Sequence, residues 1–153
     1  MKVVKATCED IERLRPVALQ WQENCNGKAM KIDLDLEVHL ADLTSLVKRD
    51  DAELFILLRN NEPIGYMGVT CFKSPIGNQL IANEHFWYVL TEFRGYSTLL
   101  LIKKAHEWAK SKGCSHIIFN TSNLASDIHD KLCQFYERLG MKKFETSYIK
   151  EIV

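Results

Sequence analysis

The sequence lacks most of the features that would place it quickly. Lys plus Arg number 20 and Asp plus Glu number 20, so there is no net charge. A chain without basic excess is not expected to coat nucleic acid or an anionic membrane surface. No run of 18 apolar residues occurs, so no transmembrane helix is expected. Met1-Lys2-Val3-Val4-Lys5 lacks the apolar centre of a signal peptide. The five cysteines form no C-x-x-C pair and are widely spaced, which fits reduced thiols and a cytoplasmic location. Only three prolines are present, and there is no Pro-rich linker, low-complexity tract or internal repeat. A glycine-rich dinucleotide fingerprint is absent too.

What remains is an ordinary globular composition, 46% hydrophobic and 26% charged. Its 153 residues suit one domain spanning 1–153. A chain of that size buries about 70% of its unfolded surface.

Periodicity supplies the elements. Lys2 to Ala6 reads as a short strand, and Thr7 with Asp10 as a capping box. Ile11, Leu14, Val17, Ala18 and Trp21 then follow at helical spacing, with Pro16 expected to kink or break the helix. Leu36 to Lys48 fits a second helix, with Leu36, Leu40, Leu43 and Val47 on one face. The period then changes. Glu53 to Arg59 and Ile64 to Phe72 read as strands around Asn60-Asn61-Glu62-Pro63. Leu80 to Leu90 reads as a central strand. A helix is expected from about Thr98 to Ser111, stopped by Gly113. His116 to Phe119 reads as a short buried strand, Ser126 to Leu139 as a helix, and Lys142 to Val153 as extended chain that forms one bent strand or a hairpin. Strand-helix-strand order after Leu80 needs parallel pairing, whereas the hairpins need antiparallel pairing. The fold class is therefore α/β: a mixed sheet flanked by about four helices.

One segment carries ligand chemistry on its own. Glu92-Phe93-Arg94-Gly95-Tyr96-Ser97 joins a strand to a helix. The first helical N–H groups lack intrahelical partners, and the helix dipole adds partial positive charge. Gly95 admits a phosphate to the backbone, Arg94 adds a charge, and Ser97 or Thr98 can cap or donate. The plain alternative is an ordinary helix start.

The element order, together with this turn, resembles the GNAT acetyltransferase family. Gly95 matches the first glycine of that family's [Q/R]-x-x-G-x-[G/A] pyrophosphate loop, Ser97 stands at its second small position, and Glu92 replaces Gln or Arg. Phe135-Tyr136-Glu137-Arg138-Leu139-Gly140-Met141 is similar to the family's F-Y-x-x-x-G-F segment, and Asn123 to its CoA-contacting asparagine. Abbreviated glycine loops of this kind resemble those of small bacteriophage members. The resemblance implies a GNAT-like fold that binds acetyl-CoA through Arg94, Gly95, Tyr96, Ser97, Thr98 and Asn123. It implies that the Val89 and Leu90 amides polarise the thioester carbonyl and that Tyr136 protonates the leaving thiolate.

A general base is also needed. Strand alternation puts Glu84, Phe86 and Tyr88 on one face and His85, Trp87 and Val89 on the other. Glu84 is the first candidate, since burial beside Phe86 and Trp87 would raise its pKa. His85 or a water relay remains open. The acceptor, a small-molecule or peptide amine, would meet Trp21, Asn24, Asn26, Met30 and Tyr148. Homodimer formation through an exposed strand edge is a further expectation. His129, Cys133, Cys114 and His116 match no zinc spacing, so no metal is expected. A second reading of the whole chain is a GNAT-fold CoA-binding or protein-interaction module without catalysis.

Overall fold

The computed structural model describes residues 1–125 and 128–152. They form two compact units. The first comprises Met1–Glu23 and Asp35–Asn120, and the second comprises Asn24–Leu34 with the described residues from Thr121 onward.

The first unit is built on five strands: β1 Lys2–Lys5, β2 Ala52–Arg59, β3 Glu62–Lys73, β4 Leu80–Val89 and β5 His116–Ile118. Their spatial order is the chain order, so β3 occupies the middle and β4, expected as central, lies one strand from the edge. The first three pairings are antiparallel; short turns join β2 to β3 and β3 to β4, whereas two helices intervene between β1 and β2. β4 and β5 pair in parallel. The crossover is helix α3, Tyr96–Ser111, which packs against all five strands.

Helices α1, Arg15–Asn24, and α2, Leu36–Val47, accompany the sheet. Leu14, Val17, Ala18, Leu40, Leu43 and Leu46 share a buried cluster with Leu54, Ile56, Leu58, Tyr66 and Tyr88. Alternation puts Phe55, Leu57, Met67 and Val69, all buried, on the opposite face with Leu101, Ala105 and Trp108 of α3. Gly68 lies on the α2 face, where a Cβ would come within 2.5 Å of Leu46 Cδ1.

Several elements depart from expectation for identifiable reasons. Pro16 does not kink a helix. Short 3-10 turns at Cys8–Asp10 and Glu12–Leu14 precede α1, so Pro16 falls in its first turn, where the missing N–H has no acceptor to disappoint. The Thr7–Asp10 capping pair forms, with Thr7 N–H donating to Asp10 Oδ2 at 2.9 Å, but it caps a 3-10 turn. Asp35 caps α2 by accepting from the amides of Glu37 and Val38. α3 starts at Tyr96, two residues before the expected Thr98.

In the second unit the helix α4 spans His129–Arg138; Ser126, its expected start, lies outside the described residues. The extended C-terminal strand or hairpin does not form over residues 142–152, and Val153 is outside the described residues. Phe144, Tyr148, Ile149 and Ile152 are exposed there, so no buried face pins a strand register.

Candidate active site

The site begins where two strands part. β4 pairs with β5 only from Ile81↔His116 to Asn83↔Ile118, yet β4 runs on to Val89. Past Asn83, among the described residues, no strand flanks β4 on the side away from β3. The edge presents alternate residues. Leu90 N–H donates to Ile64 C=O on the β3 side at 2.9 Å. Val89 therefore points its N–H and C=O toward the open side, and its carbonyl accepts from Arg94 Nε at 3.1 Å. Of the two amides expected to face a thioester carbonyl, Val89 lies on the open edge; the Leu90 amide is committed to β3.

The turn after β4 is built in three steps. Thr91–Phe93 makes a 3-10 turn, Arg94 is extended, and Gly95 takes φ of +115°. That conformation is closed to most residues with a Cβ. A Cβ on Gly95 would find nothing within 4 Å, so the face of the turn is open. Gly95 N–H donates to Thr98 Oγ1 at 3.2 Å. The Ser97 hydroxyl donates to Phe93 C=O, and Ser97 is buried. Ser97 and Thr98 thus use their hydroxyls to shape the turn, the capping option of the two that the sequence left open. The donors left for an anion are the first-turn amides of Tyr96 and Ser97. Arg94 also lies over the Tyr88 ring, 5.2 Å from its centroid.

Glu92 is exposed on this turn. Its own backbone N–H, with help from Thr91, Gln20 and Arg94, holds its carboxyl below the usual carboxylate range. Glu92 therefore carries a negative charge at neutral pH, beside the positive charge of Arg94.

Glu84 is 4% exposed. Burial pushes its carboxyl up to about 7, against the lowering effect of hydrogen bonds from Asn120. Its neighbours do not follow the expected alternation. Val69 pairs with Glu84 and Gly68 with Phe86, so His85 is the extra residue of a β-bulge. Cross-strand partners share a face, which puts Glu84 and Phe86 on opposite faces. Phe86 packs on Trp21 and His39, with centroids 4.8 and 4.4 Å away. His85 turns toward α2, where its Nε2 lies 2.8 Å from Asp42 Oδ2.

In the second unit, Tyr136 sits on α4 and is 7% exposed. Asn123 C=O accepts from Asn26 Nδ2 at 2.7 Å, and Asn26 N–H donates to Leu124 C=O at 2.8 Å. The loop expected to grip an acceptor is thereby tied to the segment carrying Asn123. Tyr148 is almost fully exposed. His129 Nε2 lies 3.7 Å from Cys133 Sγ. Among the described residues no three His, Cys, Asp or Glu side chains are grouped to hold a metal ion. No described helix is long and apolar enough to cross a membrane.

Residues 16–141 match the model of the acetyltransferase (GNAT) family. The chain belongs to the GNAT acetyltransferase family. Acetyl transfer is accordingly its class of reaction. Solved structures agree on the fold of this acetyltransferase. One is aminoglycoside N-acetyltransferase AAC(6')-Iy with a bisubstrate analog: TM-score 0.77, 17% identity, covering 99% of this chain and 97% of that one. Another is a ribosomal-protein-alanine N-acetyltransferase from Brucella melitensis biovar Abortus 2308: TM-score 0.74, 13% identity, covering 99% and 100%. The BH1408 protein from Bacillus halodurans gives TM-score 0.80 at 14% identity, covering 99% and 100%. No curated protein sequence matches the chain.

Two residues of this GNAT chain escaped the sequence reading. Gln20 Oε1 accepts from Tyr88 Oη at 3.1 Å and from Thr91 N–H at 3.2 Å, tying α1 to the turn after β4. Asn120 bonds to Glu84 across the strand parting. Neither lies in a motif, and only the fold brings them to their partners.

The raised Glu84 carboxyl has a testable sign. Its folded pKa lies above the ordinary 4.5, so the native state holds the proton more tightly than the unfolded chain. Stability therefore falls as pH rises from about 4.5 to about 7, and the loss is complete above that window. The penalty is about 3 kcal/mol. Glu84→Gln is expected to flatten the difference in urea unfolding free energy between pH 5 and pH 8 by about 2–3 kcal/mol. An unchanged difference would refute the raised value.

Proposed function

We propose that this GNAT domain, taking residues 1–153 as one catalytic body, transfers an acetyl group from acetyl-CoA to a primary amine. The acceptor is a small-molecule or peptide amine, the classes named for the aminoglycoside and ribosomal-protein-alanine acetyltransferases that share the fold. The observation that carries the reading is a conjunction at one strand end. The parting of β4 from β5, the outward Val89 edge and the Gly95 turn follow one another along the chain.

The chemistry is direct attack in a ternary complex. The amine nitrogen bonds to the thioester carbon while the carbonyl oxygen gains negative charge, which the Val89 amide stabilises. The C–S bond then breaks. The thiolate takes the Tyr136 phenolic proton, and the amine's proton passes to a base. The turn at Gly95, with the amides of Tyr96 and Ser97 and the charge of Arg94, holds the pyrophosphate. Asn123 contributes a further polar contact to CoA.

Thermal melting tests the reading. A ligand that binds only the native state at about 100 times its Kd stabilises by about 2.7 kcal/mol. For a domain of this size that raises Tm by about 5–10 °C. No rise at millimolar acetyl-CoA would overturn the proposal. Glu92 favours one rival, a CoA-binding module without turnover, because its charge sits in the turn that must accept phosphates. A rise in Tm with no acetylation across a broad panel of amines would select that rival.

A further inference from the structure

Where β4 parts from β5, the next bond of the ladder is not made between main chains. The ladder register, Asn83↔Ile118, would next bring Asn120 N–H to Glu84 C=O. The alternation supports that partner: on the same edge Leu80 C=O accepts from Ser115 N–H at 2.9 Å. The expected bond is replaced by an exchange. Asn120 N–H donates to the Glu84 side chain, Oε2, at 3.0 Å. Glu84 C=O accepts instead from the Asn120 side chain, Nδ2, at 2.7 Å. Each main-chain group of the missing ladder bond is thus satisfied by the other residue's side chain. Asn83 closes the network: its Nδ2 donates to Glu84 C=O at 2.9 Å, and its Oδ1 accepts from Asn120 Nδ2 at 3.2 Å. The bulge at His85 begins on the next residue of β4, so the strand changes course at the same place.

We propose that Glu84 and Asn120 form a side-chain latch that holds β4 and β5 one side-chain length apart, and that Glu84 is a positioning residue for the acetyl-CoA site. The latch keeps the strands from zipping together, which leaves the Val89 edge open. Glu84 is buried at the parting point, and buried polar groups are costly to leave unmet. The inference rests on reading the open edge as the acetyl-CoA site.

A proton-accepting Glu84 and a latching Glu84 make different demands. A glutamine keeps an acceptor oxygen for Asn120 N–H but takes no proton. An alanine keeps neither. Calorimetry with CoA is expected to give about tenfold weaker binding for Glu84→Ala and for Asn120→Ala. Glu84→Gln is expected to recover most of that loss. In the Glu84→Ala variant, Asn120 N–H should exchange with deuterium markedly faster than in wild type, and in Glu84→Gln it should remain protected. With any amine that the wild type acetylates, the pH–rate profile of Glu84→Gln should keep its shape.

Two results would overturn the latch. One is Glu84→Ala binding CoA like wild type with Asn120 still protected. The other is Glu84→Gln binding CoA normally while turnover falls 10²-fold or more and the rate loses its limb near pH 7, which is the signature of a base. Should wild type fail to bind CoA, the functional reading fails, and the exchange measurement on Asn120 still decides whether the latch exists.

Discussion

Tyr136→Phe is expected to lower turnover by about 10²–10³-fold while leaving CoA affinity within about threefold. An alkyl thiolate is about as basic as a phenolate, and a proton that arrives as the C–S bond stretches assists its departure. A phenol with an ordinary pKa of about 10 matches such a thiolate closely, which is the condition for effective acid catalysis. Tyr136 lies in the last turn of α4, where the helix fixes its backbone, and it is buried. A buried phenol held by a helix loses little further entropy on reaching its task. Phenylalanine retains the ring and the packing, so folding should suffer by about 1 kcal/mol from the lost hydroxyl interaction. The measurement is steady-state kinetics beside CoA calorimetry. A kcat within twofold of wild type would remove Tyr136 from the acid role. A collapse of CoA affinity would instead make the hydroxyl a binding group.

The sequence made the apolar skeleton legible because burial writes a period into the chain. Leu54 to Leu58 and Ile64 to Val69 are unbroken buried runs because both sheet faces are covered, and Leu40, Leu43 and Leu46 form one helical face. The turn at Gly95 was legible because positive φ selects glycine. The bulge at His85 was not, since a bulge exists only relative to the partner strand. Val69 and Gly68 define it, and β4 read alone shows simple alternation. That one extra residue turned Glu84 away from Phe86 and brought His85 to Asp42. The Asn120 and Gln20 contacts were equally hidden, because each joins positions 36 or more apart in the chain. Within the turn, the sequence left capping and hydroxyl donation open for Ser97 and Thr98. Ser97 and Thr98 hydrogen-bond the turn itself, as short hydroxyl side chains at helix starts commonly do.

Gly95→Ala is expected to weaken CoA binding by at least about 10²-fold and to cost about 1–3 kcal/mol of stability. Two effects act together. The φ of +115° with ψ of −127° is a backbone state that a Cβ opposes, whatever space surrounds it. Here the space is open, so the stability cost is backbone strain rather than collision. The open face is also the approach route to the Tyr96 and Ser97 amides, and a methyl group there stands between them and a phosphate. If alanine escapes the strain by rotating toward negative φ, Thr98 Oγ1 loses its donor from Gly95 and the first turn of α3 reorients. Either route removes the anion site. Binding and stability separate the two effects. A stable Gly95→Ala protein with lost CoA affinity means that the methyl blocks phosphate approach. A protein that loses stability and binding in proportion means that strain dominates. Unchanged affinity for CoA in Gly95→Ala would exclude the turn from phosphate binding, because no route leaves the amides both accessible and in place.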